Sequence, residues 1–453
     1  MTTVHASIDG AVAFMKGAPE VVLSHCHRIS SGSEIREIDA ADHRRIQEQS
    51  EAMAGDALRV LGLAYRELDK WPLDSGEELE TEMVFLGLVG MMDPPRRKAA
   101  EAVETCKRVG IRTVMITGDH QLTATAVARE LGIHRDGDMV INGEDLASIS
   151  EEALTEIVER VSVYARVSPM DKLKIVRAWQ ARDQVVAMTG DGVNDAPALK
   201  HADIGVAMGI AGTDVAREAA DMVLADDNFA TIVNAIKQGR WIYDNIKKYL
   251  AYLLESNIAE VVVIGGIVLL LGPDLMPLLP AAILYLNLAT DGLPALALGV
   301  SPPDPDIMQR PPRPATQSVF DWEVKSFILR AVVIEIPIYY WIFLSRLDDL
   351  EYARTMLFFM FVGVEFVIAL NCRSLVFSIF SVPPHKWLVT ALAWELLLIA
   401  LIVQLPAVRQ AFGITFPTLA DLALIATIGV ILMLLIEATK ILLRRQRSRV
   451  TVV

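Results

Sequence analysis

Cysteine is scarce in this chain, with three in 453 residues. Cys26, Cys106 and Cys372 lie far apart and share no metal-ligand spacing. Neither a disulfide framework nor a zinc site is expected, and free thiols in a reducing compartment are. Positive charge is also short. Lys and Arg number 42 against 56 Asp and Glu, for a net charge of −14 and a pI near 5.1. That balance argues against nucleic acid as a partner. Residues 1–10 have no basic start followed by an apolar stretch, so no secretory signal is expected there. The sequence has no internal repeat and no low-complexity segment.

Apolar residues are plentiful, at 53% of the chain with a mean hydropathy of +0.38, and they are unevenly spread. Residues 1 to about 245 read as soluble, and long apolar runs dominate the rest. Within 1–80, residues 39–58 have a polar helical rhythm, 59–65 read as a buried strand, and 69–80 form a polar connection with Pro72 and Gly76. From Met83 the pattern alternates. Apolar runs at 84–90, 112–117, 185–189, 204–208 and 222–225 are separated by helical stretches such as 96–109 and 121–131. This order implies a mostly parallel sheet with helices on both faces, whose active site lies at the carboxyl ends of the strands.

A long helix is expected after Asp227, becoming apolar near Tyr249. About six spans follow, at 249–271, 280–299, 327–345, 353–371, 387–405 and 420–443, each near the ~20 residues a bilayer requires. An even count puts both ends on one side. Lys247, Lys248, Arg310, Arg313, Arg373, Lys386, Arg444, Arg445, Arg447 and Arg449 all fall on that side, which marks it, and the soluble half, as cytoplasmic.

The strongest soluble motif is Thr189-Gly190-Asp191-Gly192-Val193-Asn194-Asp195-Ala196-Pro197-Ala198-Leu199. An apolar strand ends at a Gly-Asp-Gly turn, where glycines let carboxylates converge. Two carboxylates and an amide suit Mg²⁺, which keeps waters for a phosphate. The competing reading is an Asx-rich surface turn. Thr117-Gly118-Asp119 lies at another strand end. Taken alone, the loop Lys16-Gly17-Ala18-Pro19-Glu20, Arg59 at a strand edge and Lys172 on a helix could each be ordinary surface features.

Ionisable groups within a membrane span are costly and usually functional. Asn257 and Glu260 share a face of the first span, and Asn287, Thr290 and Asp291 share one of the second. Gly292 and Pro294 can weaken that helix and free backbone carbonyls. The fourth span holds Glu365. This all-oxygen, charge-rich set suits a hard cation such as Ca²⁺ rather than a soft metal. The alternative is helix–helix hydrogen bonding. Glu255, Glu335, Glu395 and Glu437 are further charges without an assigned role.

The eleven-residue string resembles the hinge motif of the P-type ATPases, members of the haloacid dehalogenase superfamily. The resemblance implies that Asp191 ligates Mg²⁺ and that Asn194 and Asp195 hold the phosphorylation site together. It implies that Thr117 and Gly118 contact the phosphoryl group, that Asp119 supports the site, and that Lys172 stabilises charge on the transferring phosphoryl. Lys16 and Arg59 resemble the family's ATP-contacting residues, and Asp93-Pro94-Pro95-Arg96 its link back to the phosphorylation domain. The membrane set resembles that of reticulum-type calcium pumps, including the spacing of Glu365 and Asn371 and the loop from Pro302 to Met308. Sodium–potassium pumps usually have Asp at the position of Asn287, so calcium is favoured over a monovalent cation such as Na⁺. Glu255 departs from the family, whose calcium pumps tend to have a small residue there.

The resemblance implies an incomplete haloacid dehalogenase-like Rossmannoid α/β domain with part of a nucleotide-binding domain, followed by an all-α membrane bundle. The expected division is 1–80 for the nucleotide-binding part, 81–227 for the phosphorylation domain without its nucleophile strand, 228–248 for a stalk helix, 249–443 for the cation-transport domain and 444–453 for a basic cytoplasmic tail. The expected ligands are ATP, Mg²⁺ and a transported Ca²⁺, in a multi-pass protein of the plasma membrane if the source is bacterial or archaeal. No Asp-Lys-Thr-Gly-Thr string, which carries the family's phosphorylated aspartate, occurs in these residues. The leading expectation is therefore part of a cation pump, from a truncated gene model or with a separate N-terminal half as partner. A non-catalytic membrane protein that keeps the ion site is a second reading. A metal-dependent phosphatase fused to an anchor is a third, and the missing nucleophile counts against it.

Overall fold

Alternation sets the first sheet. In Gly10–Gly17 the residues Ala11, Ala13 and Met15 are buried while Phe14 and Lys16 are exposed, the period of a strand with one covered face. The computed structural model describes residues 1–7, 10–32, 34–56, 58–68, 77–91, 97–314 and 316–450, with side chains in those ranges except at 7, 77, 78, 443 and 445–450. The linker Asp93–Arg96 and most of the connection at 69–80 lie outside the described residues. So do the side chains of Arg445, Arg447 and Arg449.

The chain divides into two units, Met1–Asn234 and Ala235–Val453. In the first, strands β1 (Thr2–Ser7), β2 (Gly10–Gly17), β3 (Cys26–Ser31), β4 (Glu34–Glu37), β5 (Arg59–Leu68) and β6 (Met83–Met91) form one sheet in the order β1-β2-β5-β6-β3-β4. Neighbours are antiparallel except β3 and β6. Helix Ala40–Gly55 starts where Asp39 caps the N–H groups of Ala41 and Asp42, and Asp42 is clamped by Arg36 and Arg45. Ile46 from this helix joins Met15, Val22, Ala64, Met83 and Phe85 in the core beneath the sheet.

The α/β pattern of the following residues is present, but the parallel strands are divided between two sheets. One has the order β7-β9-β8, made of β7 (Met115–Ile116), β8 (Met139–Asn142) and β9 (Val161–Ala165). The other has the order β10-β11-β12, made of β10 (Ala187–Gly190), β11 (Ile204–Met208) and β12 (Met222–Leu224). Sequence reading picked out neither β8 nor β9, and it expected six residues at 112–117 where only two pair. All five residues of β9 are buried. A short strand covered on both faces has no alternation to betray it. Ile116 packs against the cores of both sheets.

The second unit is helical. Five helices among the described residues are long and apolar enough to cross a membrane: Phe229–Leu271, Pro280–Gly299, Trp322–Leu344, Leu350–Asn371 and Leu419–Leu442. A sixth span arises if Lys386–Ile402 and Pro406–Phe412, bent by 103°, are taken together. Phe229–Leu271 has 43 residues, about 65 Å of helix and twice the ~30 Å of a hydrocarbon core. The Leu350–Asn371 span is the most enclosed, with 67% of its most apolar stretch buried. Tyr339 stacks on Phe361 of this span with ring centroids 4.1 Å apart. Gly363 sits where a Cβ would meet Ile425 at 2.6 Å, so the span and Leu419–Leu442 approach closely only because this residue is small.

Several of the basic residues used to orient the chain turn out to be ion-paired. Lys247 bonds Asp321 and Glu323, each at 2.5 Å, Lys248 faces Asp304 at 3.4 Å, and Arg310 bonds Asp244 at 2.6 Å.

Candidate functional site

Two groups of sequence-selected residues are assembled, one in each unit. In the first, β10 ends in Gly190 and the chain turns through Asp191 and Gly192 into a short helical turn at Val193–Asp195. Asp195 is buried beneath this turn. One carboxylate oxygen accepts from Lys172 Nζ at 2.5 Å, and the other from the backbone N–H of Asp191 at 3.1 Å and of Gly192 at 3.2 Å. Burial works against the charge on Asp195, but the Lys172 ammonium and these amides outweigh it and hold the carboxyl below the ordinary aspartate range. Glycine is required at 190 because a Cβ there would lie 2.5 Å from that of Asp195. Lys172 is aimed by helix Pro169–Gln180, which begins with Pro169 and a reciprocal cap between Ser168 and Asp171.

The Asp191 and Asn194 side chains are exposed at the turn. An exposed carboxylate at a strand end suits Mg²⁺ with several waters, so the donor set fits that ion. Thr117, Gly118 and Asp119 follow β7 and have a network of their own. The Thr117 hydroxyl donates to Asp119 at 3.0 Å and accepts from the Asp119 N–H at 3.1 Å. On the six-stranded sheet, Lys16 pairs in register with Leu63, and Arg59 lies four residues along β5 from Leu63. Side chains alternate along a strand, so Lys16 and Arg59 share a face, opposite to the one that buries Met15 and Ala64.

In the second unit the first two spans are tied together. Asp291 accepts from the Ser256 hydroxyl at 2.9 and 3.0 Å and from the Asn257 amide at 3.4 Å. Glu260 accepts from the Asn287 amide at 2.9 and 3.2 Å. The second span makes a π-helical turn at Leu286–Thr290, just before Gly292 and Pro294. Pro294 has no N–H to give the Thr290 carbonyl four residues back. Tyr252 fills that vacancy, its hydroxyl donating to Thr290 O at 2.9 Å. Glu365 is buried, with one carboxylate oxygen unpartnered, and the charges of Asp291, Glu395 and Glu260 bear on it.

The structure buries Glu260, Thr290, Asp291 and Glu365, with Asn257 half-buried and Asn287 exposed beside them, and it adds residues not assigned from sequence. Tyr252 and Ser256 carry no charge to draw notice. Glu395 is wholly buried and faces Thr290 and Asp291; its signal was a carboxylate in the middle of an apolar run. Asn371 instead binds the Lys440 ammonium through its carbonyl at 3.0 Å and its side chain at 3.1 Å, and Glu437 joins them at 3.0 Å. Among the described residues no basic side chain is salt-bridged to Glu260, Asp291, Glu365 or Glu395. Nor do three His, Cys, Asp or Glu groups among them converge tightly enough to cage an ion. Glu260 and Asp291 are bonded to amide and hydroxyl donors instead, while one oxygen of Glu365 and both of Glu395 have no hydrogen-bond partner.

One chain therefore joins a haloacid dehalogenase-like α/β region to a helical membrane bundle. Family comparison agrees in the same order along the sequence. Residues 1–98 match "P-type ATPase, cytoplasmic domain N", residues 172–236 match "haloacid dehalogenase-like hydrolase", and residues 275–442 match "Cation transporting ATPase, C-terminus". Calcium-transporting ATPase 1 of Bacillus cereus is 41% identical over 461 residues, taking in 97% of this chain and 52% of that protein. The calcium-transporting ATPase of Bacillus subtilis is 41% identical over 416 residues, taking in 90% of this chain and 46% of that protein. Calcium-transporting ATPase type 2C member 1 of Bos taurus is 38% identical, taking in 91% of this chain and 42% of that protein. The chain belongs to the P-type cation-transporting ATPases and is an integral membrane protein. It spans about half the length of the curated relatives it matches.

Proposed function

We propose that this chain is the nucleotide-binding, phosphoryl-transfer and cation-translocating portion of an ATP-driven Ca²⁺ pump. The observation that carries this is the burial of Glu260, Asp291, Glu365 and Glu395 in the bundle with no basic counter-charge among the described residues. Buried carboxylates without counter-charge demand a cation or protons. Amide and hydroxyl oxygens interleaved with them suit calcium. The calcium-transporting relatives favour the same ion, and none of those quoted favours Na⁺.

Residues 1–80 would contact ATP through Lys16 and Arg59, and 81–227 would carry out phosphoryl transfer. Lys172, held by Asp195, would neutralise charge growing on the phosphoryl oxygens. Thr117 and Gly118 would receive that group, with Asp119 fixing the turn and Asn194 closing it. Asp191 would hold Mg²⁺, which supplies Lewis-acid neutralisation of the phosphate when bound. Residues 228–248 would act as a stalk and 249–443 as the transport domain, with 444–453 a basic tail. The soluble domains and both termini would be cytoplasmic, in the plasma membrane of a prokaryotic source. An N-terminal half would supply the phosphorylated aspartate.

The test is reconstitution of the chain with such a half in proteoliposomes. ATP-dependent ⁴⁵Ca²⁺ uptake and an acid-stable phosphoenzyme are expected, and Asp291→Asn should abolish uptake. Absence of phosphoenzyme with both halves present, or unchanged uptake in Asp291→Asn, would reject the proposal.

A further inference from the structure

Glu255, Arg330 and Glu335 form a second buried charged group in the bundle, at 0%, 5% and 1% exposure. The Arg330 guanidinium bonds Glu255 directly, and its Nε lies 3.5 Å from Glu335. Its plane is held over the Phe327 ring at 4.3 Å. Glu255 keeps one unpartnered oxygen, and both oxygens of Glu335 lack hydrogen-bond partners. Arg330 precedes, and Glu335 ends, a second π-helical turn, Ala331–Glu335, which comes before Pro337. Such turns recur where a helix must aim side chains off its regular spacing.

The charges decide what this group can accept. Two carboxylates against one guanidinium leave a single negative charge, which one monovalent cation or proton would balance. A divalent ion would leave the group net positive in a low-dielectric interior, a costly state. Without the guanidinium, two carboxylates with free oxygens and one divalent ion would be neutral. We propose that Arg330 is a tethered cation that closes the buried Glu255–Glu335 pair to divalent ions, leaving the bundle's divalent capacity to the carboxylates around Asp291. The inference rests on the reading of those carboxylates as the transport site, and it explains how Glu255 can stand two residues before Asn257 without adding a calcium ligand.

The test is equilibrium ⁴⁵Ca²⁺ binding to the full chain in lipid nanodiscs, counted per chain. Arg330→Gln should bind roughly one more Ca²⁺ than the unaltered chain. Adding Glu255→Gln and Glu335→Gln should remove that gain, and Arg330→Lys should show none. An unchanged count in folded Arg330→Gln would overturn the proposal. If that variant does not fold, the paired change Glu260→Gln with Asp291→Asn decides. Complete loss of binding supports closure, whereas residual binding that Glu335→Gln removes overturns it. A count of zero in the unaltered chain would end the transport reading, while the gain in Arg330→Gln would still decide this one.

Discussion

Lys172 and Asp195 act as a unit. Asp195 accepts three hydrogen bonds, two of them from the backbone of the turn that carries Asp191. Asp195→Ala should therefore leave the Asp191 and Gly192 amides without their acceptor, at a cost of about 1–3 kcal/mol. Faster hydrogen exchange of the peptide spanning these amides is the expected readout. The pair also predicts a pH dependence. Its folded-state carboxyl lies below the ordinary range, so its stabilisation is complete above the unfolded aspartate pKa of about 3.9 and is lost as pH falls through the lower folded value. Thermal unfolding between pH 5 and 3 (about the range that brackets the unfolded value) should be steeper in the unaltered chain than in Lys172→Met. Equal slopes would mean that the pair contributes nothing.

At the scale of elements, the interrupted second span is the feature with most consequence. Pro294 leaves the Thr290 carbonyl free and Tyr252 claims it. Tyr252→Phe should leave that buried carbonyl unpaired and cost about 1–3 kcal/mol in stability, read as a lower midpoint of thermal unfolding in detergent. Pro294→Ala restores the N–H that can close a regular helical turn on Thr290. It should relieve most of the Tyr252→Phe loss in the double variant, and a double variant no more stable than Tyr252→Phe would refute this account. The positions of Pro294 and Gly292 were readable in the sequence, and so was the weakening of the helix. The partner of the freed carbonyl was not, because it comes from a different span.

For the whole molecule, ligand linkage gives a test that needs no turnover. If the bundle binds Ca²⁺ when folded, Ca²⁺ at 100 times its dissociation constant should stabilise it by about 2.7 kcal/mol. The effect should be absent with Na⁺ and lost in Glu260→Gln. Equal stabilisation by both ions would remove the case for calcium. The division of parallel strands between two sheets belongs to this scale as well. Local apolar runs located β10, β11 and β12, but pairing depends on residues far apart in sequence. That dependence explains why β9 escaped notice although it is the middle strand of its sheet.

Local chemistry alone determined which residues could do work. Carboxylates inside apolar runs and a Gly-Asp-Gly turn after a strand declare themselves, because placing them there is costly without a purpose. Tertiary structure decided their company. Glu395 was drawn to Asp291, Asn371 was drawn away to Lys440, and Glu255 was matched with Arg330 rather than left beside Asn257. Charge partners are chosen by which helix faces meet in space, and helical spacing within one span says nothing about the face presented by the next.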